Sequence, residues 1–435
     1  MSAHWCTMLF AFALLKLAFV VVQAYDNGQL GMTPPMGWST WCTNDICGLR
    51  DICTQWEVKK RADALVESGM RDLGYKWVFL DDCWASTERD ADGKLQPDPK
   101  QFPSGMKSLA DYVHSKGLYL SVYTCIGTKT CKKNRPGSYG NYELDAQTFA
   151  EWGIDMVKCD NCNNPKKEGE TTQSLFTDFS RAMNATGREM LFALCEWGED
   201  EVWNWGPGIS QMFRIQMDHL PLFNWGKTAQ GVGYGQGVNQ IINWMADIRP
   251  SKFAGPAAWA DPDFLMTMFD YVYSTMPYAE SRTEFTFWAL WSSPLLVATD
   301  VVDMDDTKKS ILMNEEVLAV HHDPLWIAGD RLYNNTDGTQ AWSRPLSNGD
   351  VAVVLYNADD DRQYKENPAK VAVELAELGF KADDEVYVRD LWAHTDLGSI
   401  KGADSWSMDV GHHESMMLRL SREPPKGTPA VKSEG

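Results

Sequence analysis

The sequence predicts a (β/α)8 TIM barrel followed by a small antiparallel β-sandwich. Two observations carry this. From residue 35 to about 300, eight short apolar runs alternate with longer amphipathic stretches, which is the strand-then-helix rhythm of a parallel barrel. After Pro324 the helical patterns stop, and short strand-like runs follow one another with turn residues between them. A doubly wound open sheet competes for the first part, but no Gly-rich phosphate turn follows the first strand.

Taken in order, the first 24 residues hold two apolar runs interrupted by Lys16 and end Val22-Gln23-Ala24, so they read as a signal peptide. Lys16 within so short a run argues against a membrane anchor. The barrel is placed at 25–324. Its strands are predicted at Met36–Ser39, Trp77–Asp81, Leu118–Tyr123, Asp155–Cys159, Met190–Cys195, Met212–Gln216, Ala254–Ala258 and Leu295–Ala298. Helical patterns between them include Gln55–Ser68, Met106–Ser115, Gln173–Asn184 and Asn239–Asp247. The sandwich is placed at 325–422, with strands at Gln340–Arg344, Val351–Asn357, Lys370–Glu374, Glu385–Asp390 and Ser415–Leu420. Asn348-Gly349 signals a two-residue hairpin between the first two. The tail 423–435, rich in Pro, Gly and charge, reads as disordered.

The composition narrows the function classes. A formal charge of −20 speaks against nucleic acid and anionic membranes as partners. A hydrophobic content of 44% with 19 tryptophans describes a well-filled core, and tryptophan faces also suit sugar rings. Six cysteines (Cys42, Cys47, Cys53, Cys83, Cys131 and Cys162) stand where an oxidising compartment would allow disulfides. Their spacing is wrong for a zinc site, since Cys47 and Cys53 do not form a CxxC pair. The sequons at Asn184 and Asn334 fit the same secretory route, to the outside or to a lysosome or vacuole.

The chemistry gathers where the strands end. In Ile154–Cys162, an apolar strand closes by presenting Lys158 and Asp160 on one face. That pair suits a carboxylate nucleophile kept ionised by a neighbouring cation. Other strand ends add Asp81 and Asp82, Tyr123, Glu196 with Trp197, Arg214 with Asp218, and Asp261 with Asp263. Arg214 and Asp218 share a face if their strand stays regular. So dense a ring of acids suits either a divalent metal or glycoside hydrolysis. The Lys and Arg compete with a metal ion, and the adjacent Trp38, Trp84, Trp197 and Trp259 favour a sugar; no metal or organic cofactor is expected.

These stretches resemble the glycoside hydrolase family 27 α-galactosidases (melibiases) along essentially the whole mature chain. The matching segments are Thr-Pro-Pro-Met-Gly-Trp-Ser-Thr-Trp (33–41), Leu-Asp-Asp-Cys-Trp (80–84), Lys-Cys-Asp-Asn-Cys (158–162), Cys-Glu-Trp-Gly (195–198), Asp-Pro-Asp (261–263) and Arg-Asp-Leu-Trp (389–392). The resemblance implies a retaining double displacement with Asp160 as nucleophile and Asp218 as acid/base. It implies sugar contacts from Trp38, Asp81, Asp82, Tyr123, Lys158 and Arg214, to which Glu196, Trp197 and Asp263 are added, with Glu196 bearing on specificity. Lys158 and Arg214 would then lower the pKa of Asp160, and Asp160 would raise that of Asp218. By the same analogy the disulfides would be Cys42–Cys83, Cys47–Cys53 and Cys131–Cys162, leaving Cys125, Cys159 and Cys195 free.

The implied partner is a galactose-containing oligosaccharide or glycoconjugate, with no nucleic acid and no membrane for the mature chain; a homodimer is left open. The alternatives are an α-N-acetylgalactosaminidase of the same family and a non-catalytic galactose-binding protein. The sequence departs from the family pattern at 255–263, at Phe264, at His321-His322-Asp323 and in the segment after Asp218, departures expected to lie around the mouth of the barrel.

Overall fold

The computed structural model describes residues 30–43, 47, 52–224, 235–271, 274–359 and 368–424. The expected signal peptide and nearly all of the tail lie outside the described residues.

Eight parallel strands form the barrel: β1 (Met36–Ser39), β2 (Trp77–Phe79), β3 (Tyr119–Cys125), β4 (Met156–Asp160), β5 (Leu191–Cys195), β6 (Met212–Arg214), β7 (Trp259–Asp261) and β8 (Leu295–Val297). They lie in the order β8-β1-β2-β3-β4-β5-β6-β7. The ring closes through Leu265, which follows β7 and bridges to Val297 in parallel. The strands are buried on both faces, as in Leu-Phe-Ala-Leu-Cys of β5, because helices cover the outside and side chains fill the inside. On β1, a Cβ at Gly37 would lie 1.9 Å from the Trp77 carbonyl oxygen, so only glycine lets β1 and β2 pair there.

The helices start where capping residues stand. In α1 (Gln55–Glu67) the Thr54 side chain accepts from the Glu57 amide, and in α4 (Thr172–Ala185) Thr171 and Ser174 form a reciprocal capping box. The other barrel helices are α2 (Gly105–Ser115), α3 (Tyr142–Trp152), α5 (Val238–Ile248), α6 (Tyr278–Leu290), α7 (Asp306–Leu312) and α8 (Glu315–His321).

The sequence reading needs three corrections here. The seventh strand is Trp259–Asp261 and not Ala254–Ala258. The latter is a tight turn in which Gly255 and Ala258 exchange backbone hydrogen bonds of 3.0 and 2.9 Å, and Ala257 has a positive φ of 59°. The apolar alanines imitated a strand where the chain reverses. Second, β6 stops at Arg214, and Asp218 belongs to a separate two-residue bridge, Asp218–His219 with Gly235–Gln236. Third, Trp77–Phe79 ends short of Asp81, so the two acids stand on the bend that follows.

The carboxyl-terminal part holds β9 (Asp330–Asn334), β10 (Thr339–Pro345), β11 (Val351–Asn357), β12 (Ala369–Glu374), β13 (Glu385–Asp390), β14 (Thr395–Lys401), β15 (Ser405–Val410) and β16 (Ser415–Ser421). A six-stranded antiparallel sheet, β9-β10-β11-β16-β13-β14, faces the β12–β15 pair across a core that includes Val353, Leu355, Val371, Val373, Val388 and Leu418. Strands β9, β14 and β15 escaped the sequence reading because their residues are mostly half-buried or exposed and lack the alternation of a covered strand. The Asn348-Gly349 turn does join β10 to β11, but as the five-residue loop Leu346–Asp350 and not a two-residue turn.

The two parts share one apolar core: Trp342 and Tyr356 of the sandwich pack edge-on against Phe287 of α6. Arg344, fully buried, donates to the carbonyls of Ala289 and Leu290 at the end of α6 (3.1 and 3.2 Å), satisfying helix-end acceptors that would otherwise be orphaned.

Candidate active site

At the carboxyl ends of the strands lies a cavity of about 300 Å³. Among its lining are Asp81, Asp82, Tyr123, Lys158, Asp160, Trp197, Arg214, Asp218 and Asp263. Nine of the eleven expected catalytic and sugar-contact residues therefore face one space. The other two do not. Trp38 is fully buried, with its indole N–H donated to the Thr43 hydroxyl at 2.9 Å. Glu196 is also fully buried; its carboxylate accepts from the Asp200 amide at 2.9 Å. The reason is alternation: Cys195, at the end of β5, approaches Arg214 (3.8 Å), which turns the next side chain away. As sugar contacts, Trp38 and Glu196 are corrected by the structure.

Two clusters build the polar walls. In the first, β4 delivers Lys158 and Asp160 to the same side, and the Lys158 ammonium donates to Asp81 Oδ2 at 2.9 Å and stands 4.0 Å from Asp160 Oδ1. Rings of Phe264, Tyr123 and Trp41 surround that ammonium at 5.0, 5.4 and 6.0 Å from their centroids. Burial alone would discharge Lys158, but Asp160 and Asp81 outweigh it and hold the ammonium charged. In the second cluster, Arg214 pairs with Asp218 Oδ1 at 3.0 Å and with Asp263. Asp263 is fixed in turn: it accepts from the His219 amide at 2.7 Å and from the Phe264 amide at 2.8 Å. Asp82 completes the rim, accepting from the Lys132 amide at 3.0 Å with Arg135 at 3.6 Å.

The electrostatics differ from the sequence expectation in two respects. Asp160 is not lowered but pushed up to about 6, chiefly by burial; Lys158 pulls it back and Asp81 adds to the rise. Arg214 instead serves the other cluster. Asp218 moves upward, the expected direction, but through the desolvation of its place in the cavity wall, opposed by Arg214 and reinforced by Asp263, and not through Asp160. Burial likewise raises Asp82 and takes Asp261 up to about 6.

Sequence reasoning also missed Trp41, Met217 and Glu199, which line the cavity. Trp41 lay inside a recognised motif, and nothing in that motif says which of its tryptophans faces the opening.

All six expected cysteines are disulfide-bonded, but the first four pair as Cys42–Cys47 and Cys53–Cys83 instead of Cys42–Cys83 and Cys47–Cys53; Cys131–Cys162 stands as expected. Cys53, at the entry to α1, and Cys83, on the bend after β2, are both buried, and their bond joins those two segments. Cys131 Sγ lies 3.3 Å from Asp160 Oδ2 and flanks the carboxylate. Cys125, Cys159 and Cys195 are free and buried.

The family departures also fall differently from expectation. The turn 255–258 precedes β7 and contacts Gly31, and His321 binds the Ser293 carbonyl (2.8 Å) just before β8. His322 touches Met36 at the start of β1 (3.0 Å). These lie at the amino-terminal end of the barrel, opposite the cavity. Among the described departures, Phe264 lines the cavity, while His219, the first residue after Asp218, is buried with its ring 2.9 Å from the Phe264 carbonyl oxygen.

With this geometry in hand, comparison with known proteins is decisive. Residues 33–323 match the family described as alpha galactosidase A, and residues 336–420 match its C-terminal beta sandwich domain. The chain belongs to the alpha galactosidase family. An alpha-galactosidase of Oryza sativa subsp. japonica is 37% identical over 92% of this chain and 87% of its own length. An alpha-N-acetylgalactosaminidase of Gallus gallus is 33% identical over 91% of this chain and 95% of its own. Among solved structures, alpha-galactosidase I from Mortierella vinacea superposes with a TM-score of 0.80 at 33% identity, covering 91% of this chain and 98% of that one. The Saccharomyces cerevisiae alpha-galactosidase with raffinose gives 0.80 at 26% identity, covering 91% and 99%.

Proposed function

We propose that this protein is a retaining exo-glycosidase that releases terminal α-linked galactose from oligosaccharides or glycoconjugates. The observation that carries the reading is the pair of cation-bridged carboxylate clusters facing one cavity in a chain of this family. Asp160 attacks the anomeric carbon as the bond to the leaving oxygen breaks, and Asp218 gives that oxygen its proton. Water then displaces the sugar from Asp160 while Asp218 takes the water's proton. Asp160 must be ionised for the first step and Asp218 protonated. Lys158 supplies the charge that holds Asp160 usable despite its burial. Asp81 and Asp82, with fixed acceptor oxygens on the bend after β2, suit the 4- and 6-hydroxyls of galactose.

The substrate class draws support from the rice and fungal relatives and from the yeast enzyme solved with raffinose. The chicken relative keeps the acetamido sugar as the second reading. Trp197 and Glu199, on the loop after β5, line the cavity, and their bulk favours galactose over the larger acetamido sugar. A pure binding protein has no need of both Asp160 and Asp218. Three disulfides and surface-placed Asn184 and Asn334 support passage through the secretory pathway to the outside or to a lysosome or vacuole. No helix among the described residues is long and apolar enough to cross a membrane.

The test is hydrolysis of an aryl α-galactoside beside the aryl α-N-acetylgalactosaminide, with Asp160→Ala as control. Turnover of the galactoside alone, lost in the variant, is the expected result. Preference for the acetamido sugar would install the second reading, and galactose binding without turnover would reject catalysis.

A further inference from the structure

We infer that the groove along the outer flank of α1 is a second carbohydrate-binding site, one that holds a neutral oligosaccharide chain outside the catalytic cavity. The groove encloses about 580 Å³, nearly twice the catalytic cavity, and runs between α1 and the segment Val301–Lys309. At its head stands Trp56, with 58% of its surface exposed, the most exposed large apolar side chain among the described residues. Water gains nothing from such a ring, whereas the apolar face of a pyranose can cover it.

The rest of the lining says what sort of ligand the ring would take. Lys59, Lys60 and Lys309 stand with Asp63, Glu67 and Asp303, three cations against three carboxylates. The formal sum is zero, so the groove has no pull for a phosphate, a nucleic acid or a strongly charged peptide. It offers both donors and acceptors to a neutral, hydroxyl-rich chain. Asp63 is already positioned: Lys116 holds it at 2.6 Å, the Tyr112 hydroxyl donates to it at 2.8 Å, and these contacts keep it ionised. Trp56, Lys59, Lys60, Asp63 and Glu67 follow helical spacing along one face of α1, a row about 16 Å long at the rise of an α-helix. A linear chain of rings fits such a row; a compact ligand does not.

Its placement links the groove to the catalytic mouth. Trp56 lies in the first turn of α1, and Val301–Met304 follow β8, so the head of the groove opens on the carboxyl-end face of the barrel. The Cys53–Cys83 disulfide fastens the entry of α1 to the residue after Asp82. A branched polysaccharide could lay its main chain on α1 while a terminal branch enters the cavity. The choice of sugar rests on the proposed α-galactosidase reading; the existence of the site does not.

Affinity electrophoresis of the Asp160→Ala chain through a gel containing galactomannan tests this without hydrolysis. Retardation should persist in saturating free galactose, which fills the catalytic cavity. Trp56→Ala should weaken it roughly three- to tenfold, the scale of one lost aromatic contact, and Trp56→Phe should restore part. On the otherwise native chain, Trp56→Ala should leave aryl galactoside hydrolysis unchanged. Galactose abolishing the retardation, or Trp56→Ala leaving it intact, would overturn the inference. So would sedimentation showing a dimer that Trp56→Ala dissociates, which would make the groove a contact between copies. If the native chain failed to cleave aryl galactoside yet showed the expected retardation, the catalytic reading would fall and this site would stand.

Discussion

The cluster at β4 and the one after β6 use the same ingredients, one cation between two carboxylates, and differ in how firmly water is excluded. Lys158, Asp81 and Asp160 are nearly sealed, with side chains 12%, 2% and 9% exposed. Arg214 is as deeply buried as Asp263, but the third member, Asp218, leaves 47% of its side chain open. The backbone explains the contrast. Lys158 and Asp160 belong to a regular strand, whereas Asp218 sits beyond the end of β6 on a short bridge. A nucleophile gains from a fixed, dry position, while a group that gives up and regains a proton needs contact with water. The chain assigns a regular element to the first task and an irregular one to the second.

The largest effect should come from Asp160→Ala, with kcat for an aryl α-galactoside falling by roughly 10⁴-fold or more. Partial rescue by azide, giving the galactosyl azide, would tie the loss to a missing nucleophile and not to misfolding. Asp218→Asn should lower kcat by about 10²- to 10⁴-fold on a natural oligosaccharide. It should cost far less on an aryl galactoside whose leaving group needs no proton. Equal losses on both substrates would erase the distinction between the clusters.

Lys158→Met should destabilise the fold by about 3–5 kcal/mol, because it strands Asp81 and Asp160 without their cation. In any folded fraction the acidic limb of kcat/KM, expected near 6 from Asp160, should move to higher pH. An unmoved limb would mean that Lys158 is not what holds Asp160 down.

The smallest effect concerns the support behind the second cluster. Glu284 on α6 accepts from the Met266 amide at 2.7 Å and the Thr267 hydroxyl at 3.1 Å, bracing the chain that carries Asp263 and Phe264. Burial pushes Glu284 and Glu196 up to about 8. Their folded pKa values exceed the unfolded ones, so the stability they lend is present at low pH and fades as pH climbs through 8. The buried His219, lowered to about 4, works the other way, but only below its ordinary value of 6.5. The melting temperature should therefore fall between pH 6.5 and 8, and Glu284→Gln should flatten that slope in a calorimetric series.

The sequence disclosed most where one force dominates. Apolar runs bounded by turn residues located seven of the eight barrel strands, because a strand buried on both faces must be apolar throughout. Strand-end acids disclosed the cavity for the same reason: charges at the edge of a buried strand have few other places to go. Reading failed where several neighbours decide together. Gly255–Ala258 is apolar yet turns. Trp38 and Trp41 are three residues apart, and only the folded loop tells which one faces the opening. Four cysteines converge near the ends of β1 and β2, and their partners follow from distances that spacing cannot reveal. The rise in Asp160 shows the same thing: Lys158 was legible, but the depth of burial that outweighs it was not.

The side chain of Arg344 bears on modularity. An eye looking for units would cut the chain near residue 324 and treat the two pieces as interchangeable parts. Yet this guanidinium closes off the end of α6, and Trp342 completes the aromatic packing against Phe287 from outside the barrel. The visible joint is thus not a joint in folding. A graft that trades this sandwich for a relative's must carry both residues with it, and the barrel and its companion should melt as one body.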